Sequence, residues 1–327
     1  MPVSADVSDQ SYLDETRESR GDSQLKEIFI EMAQNRRQNA QWNLNDSRLT
    51  FPTFFILMPE IEKLGLYQRI GQRNIAAAYI TLRVLKKTEE AENLRRQGAQ
   101  GGQQAALRWM LTTGESYDGT DGVFDQVMDA AAALLLSIYR DTTVLPLVAR
   151  LMFMRNRAGR LIHDIAWCFF KAGDIEAMRI VASYLESDNE ADVDLACKLL
   201  HTDKRGGSRG GRYEEYMRWY EDNAPYAYFS GESFQQTSEP EPLFVNNEAK
   251  YLQRRVSALT GQMLRPLNRF DQNRLAEFRK KGEEEKRLLA QYSAKAFKLG
   301  AQHWSRWMTS DINRQITAAR EDGGENV

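Results

Sequence analysis

The sequence predicts an all-α protein of antiparallel helix pairs stacked as a solenoid, and three observations carry that prediction. One four-residue apolar stripe, at i, i+3, i+4 and i+7, is written five times: Met128/Ala131/Ala132/Leu135, Val144/Leu147/Val148/Leu151, Ile162/Ile165/Ala166/Phe169, Met178/Val181/Ala182/Leu185 and Val193/Ala196/Cys197/Leu200. This spacing gathers four side chains on one helical face. The stripes recur in register, since Met128 to Ile162 and Val144 to Met178 are each 34 residues apart. A fixed period holding two helices is the pattern of stacked repeats, because one pair is too small to bury its own apolar face. Finally, the residues between stripes have the chemistry of helix ends. Pro146 follows Thr142 and Thr143 in a first turn, where its missing N–H costs nothing. Gly159 and Gly173 fall just beyond periodic segments. Ser187 and Glu190 have the spacing of a capping box ahead of Val193.

Taken in order, residues 1–22 are polar and aperiodic and are expected to lack order at least in part. A helix is expected over 24–38, with Leu25, Ile28, Phe29 and Met32 on one face. The apolar stretch 42–59 reads as a turn or loop around Pro52, with Phe54, Phe55, Ile56 and Leu57 buried. Ile75/Ala78/Tyr79/Leu82 writes the stripe once more. Residues 91–104 read as a solvated helix end and a flexible connection closing on Gly101-Gly102, and 114–122 as a turn cluster. After Leu200 the rhythm breaks. Residues 204–212 hold four glycines and are expected not to be helical. A short aromatic helix follows, then an irregular stretch over 224–246 containing Pro225, Pro240 and Pro242. The tail from 248 is helical in pattern, interrupted near Pro266 and Gly282. Its last helix carries Trp304, Trp307, Met308, Ile312 and Ile316. Five parts result: a polar terminus (1–22), an N-terminal helical part (23–121), the repeats (122–201), a Gly/Arg loop with an aromatic irregular segment (202–247) and a helical extension (248–327).

Within 188–196, Asp188, Val193 and Ala196 stand in a D-x-x-x-x-V-x-x-A arrangement that resembles the inter-helix turn and second-helix opening of HEAT-type repeats. The resemblance covers roughly residues 122–201, and it implies a packing mode without any chemistry. The 34-residue period is also similar to that of tetratricopeptide repeats, whose second helix Gly173-Asp174 and Ala177 faintly resemble. The HEAT-like reading is preferred, because the Trp and Leu-Gly of a tetratricopeptide first helix are absent.

Composition narrows the function classes. The chain has 327 residues, 42% hydrophobic and 28% charged, as suits an elongated array with much surface. Lys and Arg number 44 against 46 Asp and Glu, so no global field draws the protein to nucleic acid or anionic membrane. Two cysteines, Cys168 and Cys197, make no disulfide framework and suit a reducing cytoplasm. The first 21 residues lack the apolar core of a signal peptide. The longest apolar run, 130–136, falls far below the ~20 residues of a membrane span.

The motifs that could carry chemistry are each incomplete. Cys197 and His201 are four apart, but His163 and Cys168 are five apart, turned by about 140° around their helix, which spoils a four-ligand zinc site. A calcium loop ending on Gly122 would place Tyr117 and Gly119 at ligand positions, where both fail; Asp121 reads instead as a helix cap. Gly231-Glu232-Ser233 lacks the second glycine of a nucleophile elbow, and no Gly-Lys-Ser/Thr phosphate loop occurs. No catalytic, cofactor-binding or metal-binding residue is therefore expected. Two features remain. The cations Lys204, Arg205, Arg209 and Arg212, set among Arg-Gly-Gly repeats, suit single-stranded nucleic acid. The segment from Tyr213 to Phe234 holds eight aromatics, a residue type that dominates interfaces. Tyr216 and Tyr220 are expected to cover the end of the repeats, with Trp219 packed beside them. Tyr226, Tyr228, Phe229 and Phe234 are expected to reach outward to a protein partner. The function expected is thus a non-enzymatic scaffold or adaptor, a subunit of a larger assembly, with a nucleic-acid-binding repeat protein as the alternative.

Overall fold

Residues 10–203 and 209–323 are described by a computed structural model. It is 70% helical, with seventeen α-helices and a single two-stranded sheet among the described residues. The chain divides into two units, one running to Phe169 and the other starting at Phe170.

In unit 1 the helices are α1 (Tyr12–Asn35), α2 (Arg37–Leu44), α3 (Phe51–Lys63), α4 (Gln72–Val84), α5 (Thr88–Arg96), α6 (Gln103–Gly114), α7 (Gly122–Ser137) and α8 (Leu145–Arg157), and α9 (His163–Lys171) runs across the boundary. Residues 12–22, expected to lack order at least in part, are helical, and 1–9 lie outside the described residues. Ser11 caps α1, and the buried Asp14 carboxylate accepts hydrogen bonds from the Thr50 and Thr53 hydroxyls and from the Thr50 amide at 3.1 Å. These long-range bonds anchor a stretch whose composition alone would leave it loose. Gly21, at φ 81°, kinks α1 midway. The Pro52 region also differs from expectation, because Pro52 sits in the first turn of α3 and so starts a helix. The Phe51 amide, left without a helical acceptor, donates to Thr113 Oγ1 at 2.9 Å. Around it Phe51, Phe54, Phe55, Trp109 and Phe124 pack edge-on or tilted at 5.1–6.0 Å.

Every member of the three stripes in this unit is buried. They lie on α7, on α8 with its leading 3₁₀ turn (Thr142–Val144), and on α9 with Ile162 just ahead of it. Asp121 caps α7, accepting from the Val123 and Phe124 amides. Asp118, in the turn before it, faces inward. The buried Arg155 of α8 donates to both Asp118 oxygens at 2.6 and 2.7 Å and to Asp129 at 2.6 Å. Burial raises both carboxyls, Asp129 to about 6, and the two carboxylates hold Arg155 firmly charged.

Unit 2 continues with α10 (Glu176–Ser183), α11 (Glu190–Leu200) and α12 (Arg209–Asn223). Here too both stripes are wholly buried. The cap of α11 differs from the expected box: Asn189 accepts from the Ala191 amide, while the Ser187 hydroxyl accepts from the Asn189 amide and donates to Asp192. Of the Gly-rich run expected not to be helical, 204–208 lie outside the described residues and 209–212 are helical. Gly210 and Gly211 lie in the first turn of α12, where backbone N–H groups lack helical acceptors and glycine costs less than in mid-helix.

The stretch expected to be irregular is so over 230–242, but its flanks pair as a small antiparallel sheet of β1 (Ala227–Phe229) and β2 (Leu243–Val245), with Tyr228 opposite Phe244. Then come α13 (Asn247–Tyr251), α14 (Arg269–Arg279), α15 (Glu283–Leu299), α16 (Ala301–Thr309) and α17 (Ile312–Gly323). The expected last helix is two helices broken at Ser310, yet Trp307, Met308, Ile312 and Ile316 share one core with Tyr251, Phe278 and Leu289. Gln315 is fully buried there, accepting from Tyr251 Oη at 2.8 Å and donating to the Trp307 and Met308 carbonyls at 3.1 Å. Both cysteines are free and buried. No helix among the described residues is long and apolar enough to cross a membrane.

Candidate binding cavity

The helix α12 exposes a mixed face rather than an apolar one. Arg212, Glu215, Tyr216 and Trp219 stand at i, i+3, i+4 and i+7, the spacing of the stripes with polar and aromatic occupants. All four line a cavity of about 450 Å³ within unit 2. Met178 of α10 and Leu199 and Leu200 of α11 add apolar lining, and Glu241, Pro242 and Leu243 form a further wall.

The end of α11 is shaped to leave this space open. His201 adopts a left-handed conformation (φ 51°), and the His201 and Thr202 amides both donate to the Cys197 carbonyl, so the chain turns away with Thr202 and Asp203 on the cavity. The His201 ring is tied at Nε2 to the Pro240 carbonyl at 2.6 Å, which fixes the 240–243 wall against the helix end. From the other side, Ser230 donates its amide to Pro242 and its hydroxyl to the Glu241 carbonyl, at 3.0 and 2.6 Å. The wall is therefore held by the His201 ring on one side and by Ser230 on the other.

Within the lining, Tyr216 is only 4% exposed, yet its hydroxyl has no hydrogen-bond partner among the described residues, and neither has that of Thr202. Burial raises the Tyr216 phenol, so at neutral pH it keeps its proton and can donate as well as accept. The Trp219 ring, 39% exposed, lies 5.4 Å from that of Tyr216 at a 35° tilt. Three carboxylates, Asp203, Glu215 and Glu241, share the lining with one guanidinium, Arg212. A smaller cavity of about 260 Å³ lies in unit 1 beside Asp22, Lys26 and Thr81.

The aromatic residues expected to form an outward surface are scattered instead. Tyr226 is buried, 8% exposed, and donates its hydroxyl to Gln253 at 2.6 Å. This corrects the expectation that it reaches outward. Tyr228 and Phe229 point to opposite faces of β1, as strand alternation requires. Tyr228 covers Gly261, where a Cβ would lie 2.8 Å from its ring, and Phe229 lies 6.1 Å from Phe170. Phe234 is half-buried beneath Lys198, whose Nζ is 5.1 Å from the ring centre. Trp219, expected to be packed, is the exposed one. Of the four cations, Lys204 and Arg205 lie outside the described residues, Arg209 opens α12, and Arg212 lines the cavity. Among the described residues no three His, Cys, Asp or Glu side chains gather in a metal-binding group. Compared with family models, curated proteins and solved structures, the chain matches none.

Proposed function

We propose that the chain is a non-enzymatic interaction protein, a scaffold or adaptor within a larger cytoplasmic assembly, and that the unit 2 cavity receives a segment of its protein partner. One observation carries this reading. Consecutive turns of α12 place Arg212, Tyr216 and Trp219, the three residue types that anchor protein interfaces, in the lining of one open cavity. The fully buried stripes support a HEAT-like arrangement of helices as the scaffold behind it. The two reduced, buried cysteines agree with a cytoplasmic setting.

The nucleic-acid alternative draws less support from the site. Arg212 shares its surroundings with Asp203, Glu215 and Glu241, and a phosphate there would face three negative charges. The test is co-purification at physiological salt with the full chain and its Trp219→Ala variant, partners being identified by mass. The wild type is expected to retain a protein that the variant loses, with equal melting temperatures. Equal retention by both would reject the cavity as the contact. Salt-sensitive binding of single-stranded RNA, with no retained protein, would move the assignment to the alternative.

A further inference from the structure

We propose that the cavity beside α12 is a receptor for an arginine side chain presented by an extended segment of the partner protein; this rests on the interaction reading above. Glu215 and Glu241 line the cavity and form no ion pair among the described residues, whereas Arg212, the lining's one guanidinium, is already engaged. An incoming anion would be repelled by the carboxylates. A cation would be drawn in, and a low-dielectric wall strengthens that attraction.

Shape and hydrogen bonding narrow the cation. Met178, Leu199, Leu200, Pro242 and Leu243 make part of the lining apolar, which suits the methylene stem of a long side chain whose head carries the charge. A purely apolar plug would cover the apolar lining but leave the carboxylates without a counter-charge. A head group with several N–H donors would bond a carboxylate while its stem rests on that lining. A guanidinium has five donors in one plane, and it stacks on aromatic faces of the kind Trp219 offers. An ammonium is more strongly hydrated and lacks the planar face. Arginine therefore fits the apolar lining, the carboxylates and the indole at once. The volume, about 450 Å³, lies within the range of about 300–1,000 Å³ usual for ligand pockets.

The experiment uses the full chain labelled with 5-fluorotryptophan. Its six tryptophans give separate fluorine resonances, and Trp219→Phe identifies the one at the cavity. The probes are acetyl-Gly-Arg-Gly-amide and the same peptide with citrulline, lysine or glutamate in the centre. The Trp219 resonance is expected to move saturably with the arginine peptide, and the citrulline peptide, uncharged but equal in shape, should bind about tenfold more weakly. Glu215→Gln with Glu241→Gln, both exposed positions, should weaken arginine binding while leaving the melting temperature unchanged. Equal binding of citrulline and arginine would overturn the charge recognition, as would tighter binding of lysine or glutamate, while leaving the cavity as an interaction site. No movement of the Trp219 resonance with any peptide would overturn the inference. The co-purification experiment would then still decide the interaction reading on its own.

Discussion

Arg155 joins a turn to two helices through a single planar head group, bidentate to Asp118 and monodentate to Asp129. Removing the cation strands two carboxylates in a buried place. Arg155→Met is therefore expected to cost about 3–5 kcal/mol in urea unfolding, with partial recovery when Asp118→Asn and Asp129→Asn are added. The same cluster gives a pH signature. Asp129 titrates near 6 in the folded protein against an ordinary 3.8, the cause being burial, only partly offset by Arg155. Between those values the folded state holds a proton that the unfolded chain has released. This group's contribution to stability accordingly falls as pH rises from about 4 to about 6, and it is flat above. Carboxyls such as Asp46, lowered by Arg48, pull the opposite way, so the quantity to measure is the difference between wild type and Asp129→Asn. The wild-type urea midpoint, relative to that of the variant, should drop across this window. A constant difference would mean that Asp129 titrates as an ordinary aspartate.

At the scale of elements, ends and seams give the sharper tests. Asn189, rather than Ser187 with Glu190, caps α11. Asn189→Ala should cost about 1 kcal/mol, whereas Glu190→Gln should leave the melting temperature nearly unchanged. Gly173 ends the α9 segment at φ 67°, and a Cβ there would fall 1.9 Å from a Leu259 methyl carbon. The two constraints act together, so Gly173→Ala should destabilise by more than about 1 kcal/mol. Adding Leu259→Ala should relieve only the steric part. Ala166 of α9 is 2% exposed, and Ala166→Phe should overpack its seam by about 1–3 kcal/mol in a thermal or urea melt. An unchanged melting temperature would contradict the burial of that face.

Across the whole molecule, what could be read from sequence was what repeats along one helix. The stripe residues from Met128 to Leu200 are all buried because a periodic apolar face leaves the chain only one good way to exclude water. Pairings between distant residues leave no such trace. Asp118 and Arg155 are 37 positions apart, and Asp14 meets Thr50 across 36, so neither contact shows in local pattern. Strands of three residues, such as β1 and β2, are too short to alternate visibly, and the prolines beside β2 made the region read as loop. The cavity was half legible. Arg212, Glu215, Tyr216 and Trp219 carry the stripe spacing in the sequence, but a search for apolar members passes over them. Their wall, Glu241 to Leu243, is brought near by a bond from the His201 ring to the Pro240 carbonyl that no spacing announces.

The two buried thiols turn the division of the chain into a clock. Cys168 lies in unit 1 and Cys197 in unit 2, each out of reach of a reagent until its surroundings open, and burial pushes Cys168 further from the reactive thiolate. Chains carrying only one of them, made by Cys168→Ala or Cys197→Ala, would each report a local waiting time under a thiol-labelling reagent. Unequal dependence of the two labelling rates on urea would give each unit its own opening free energy. Identical dependence would mean that both cysteines await the same opening event. A chain with no introduced probe thus already contains a separate timer for each half.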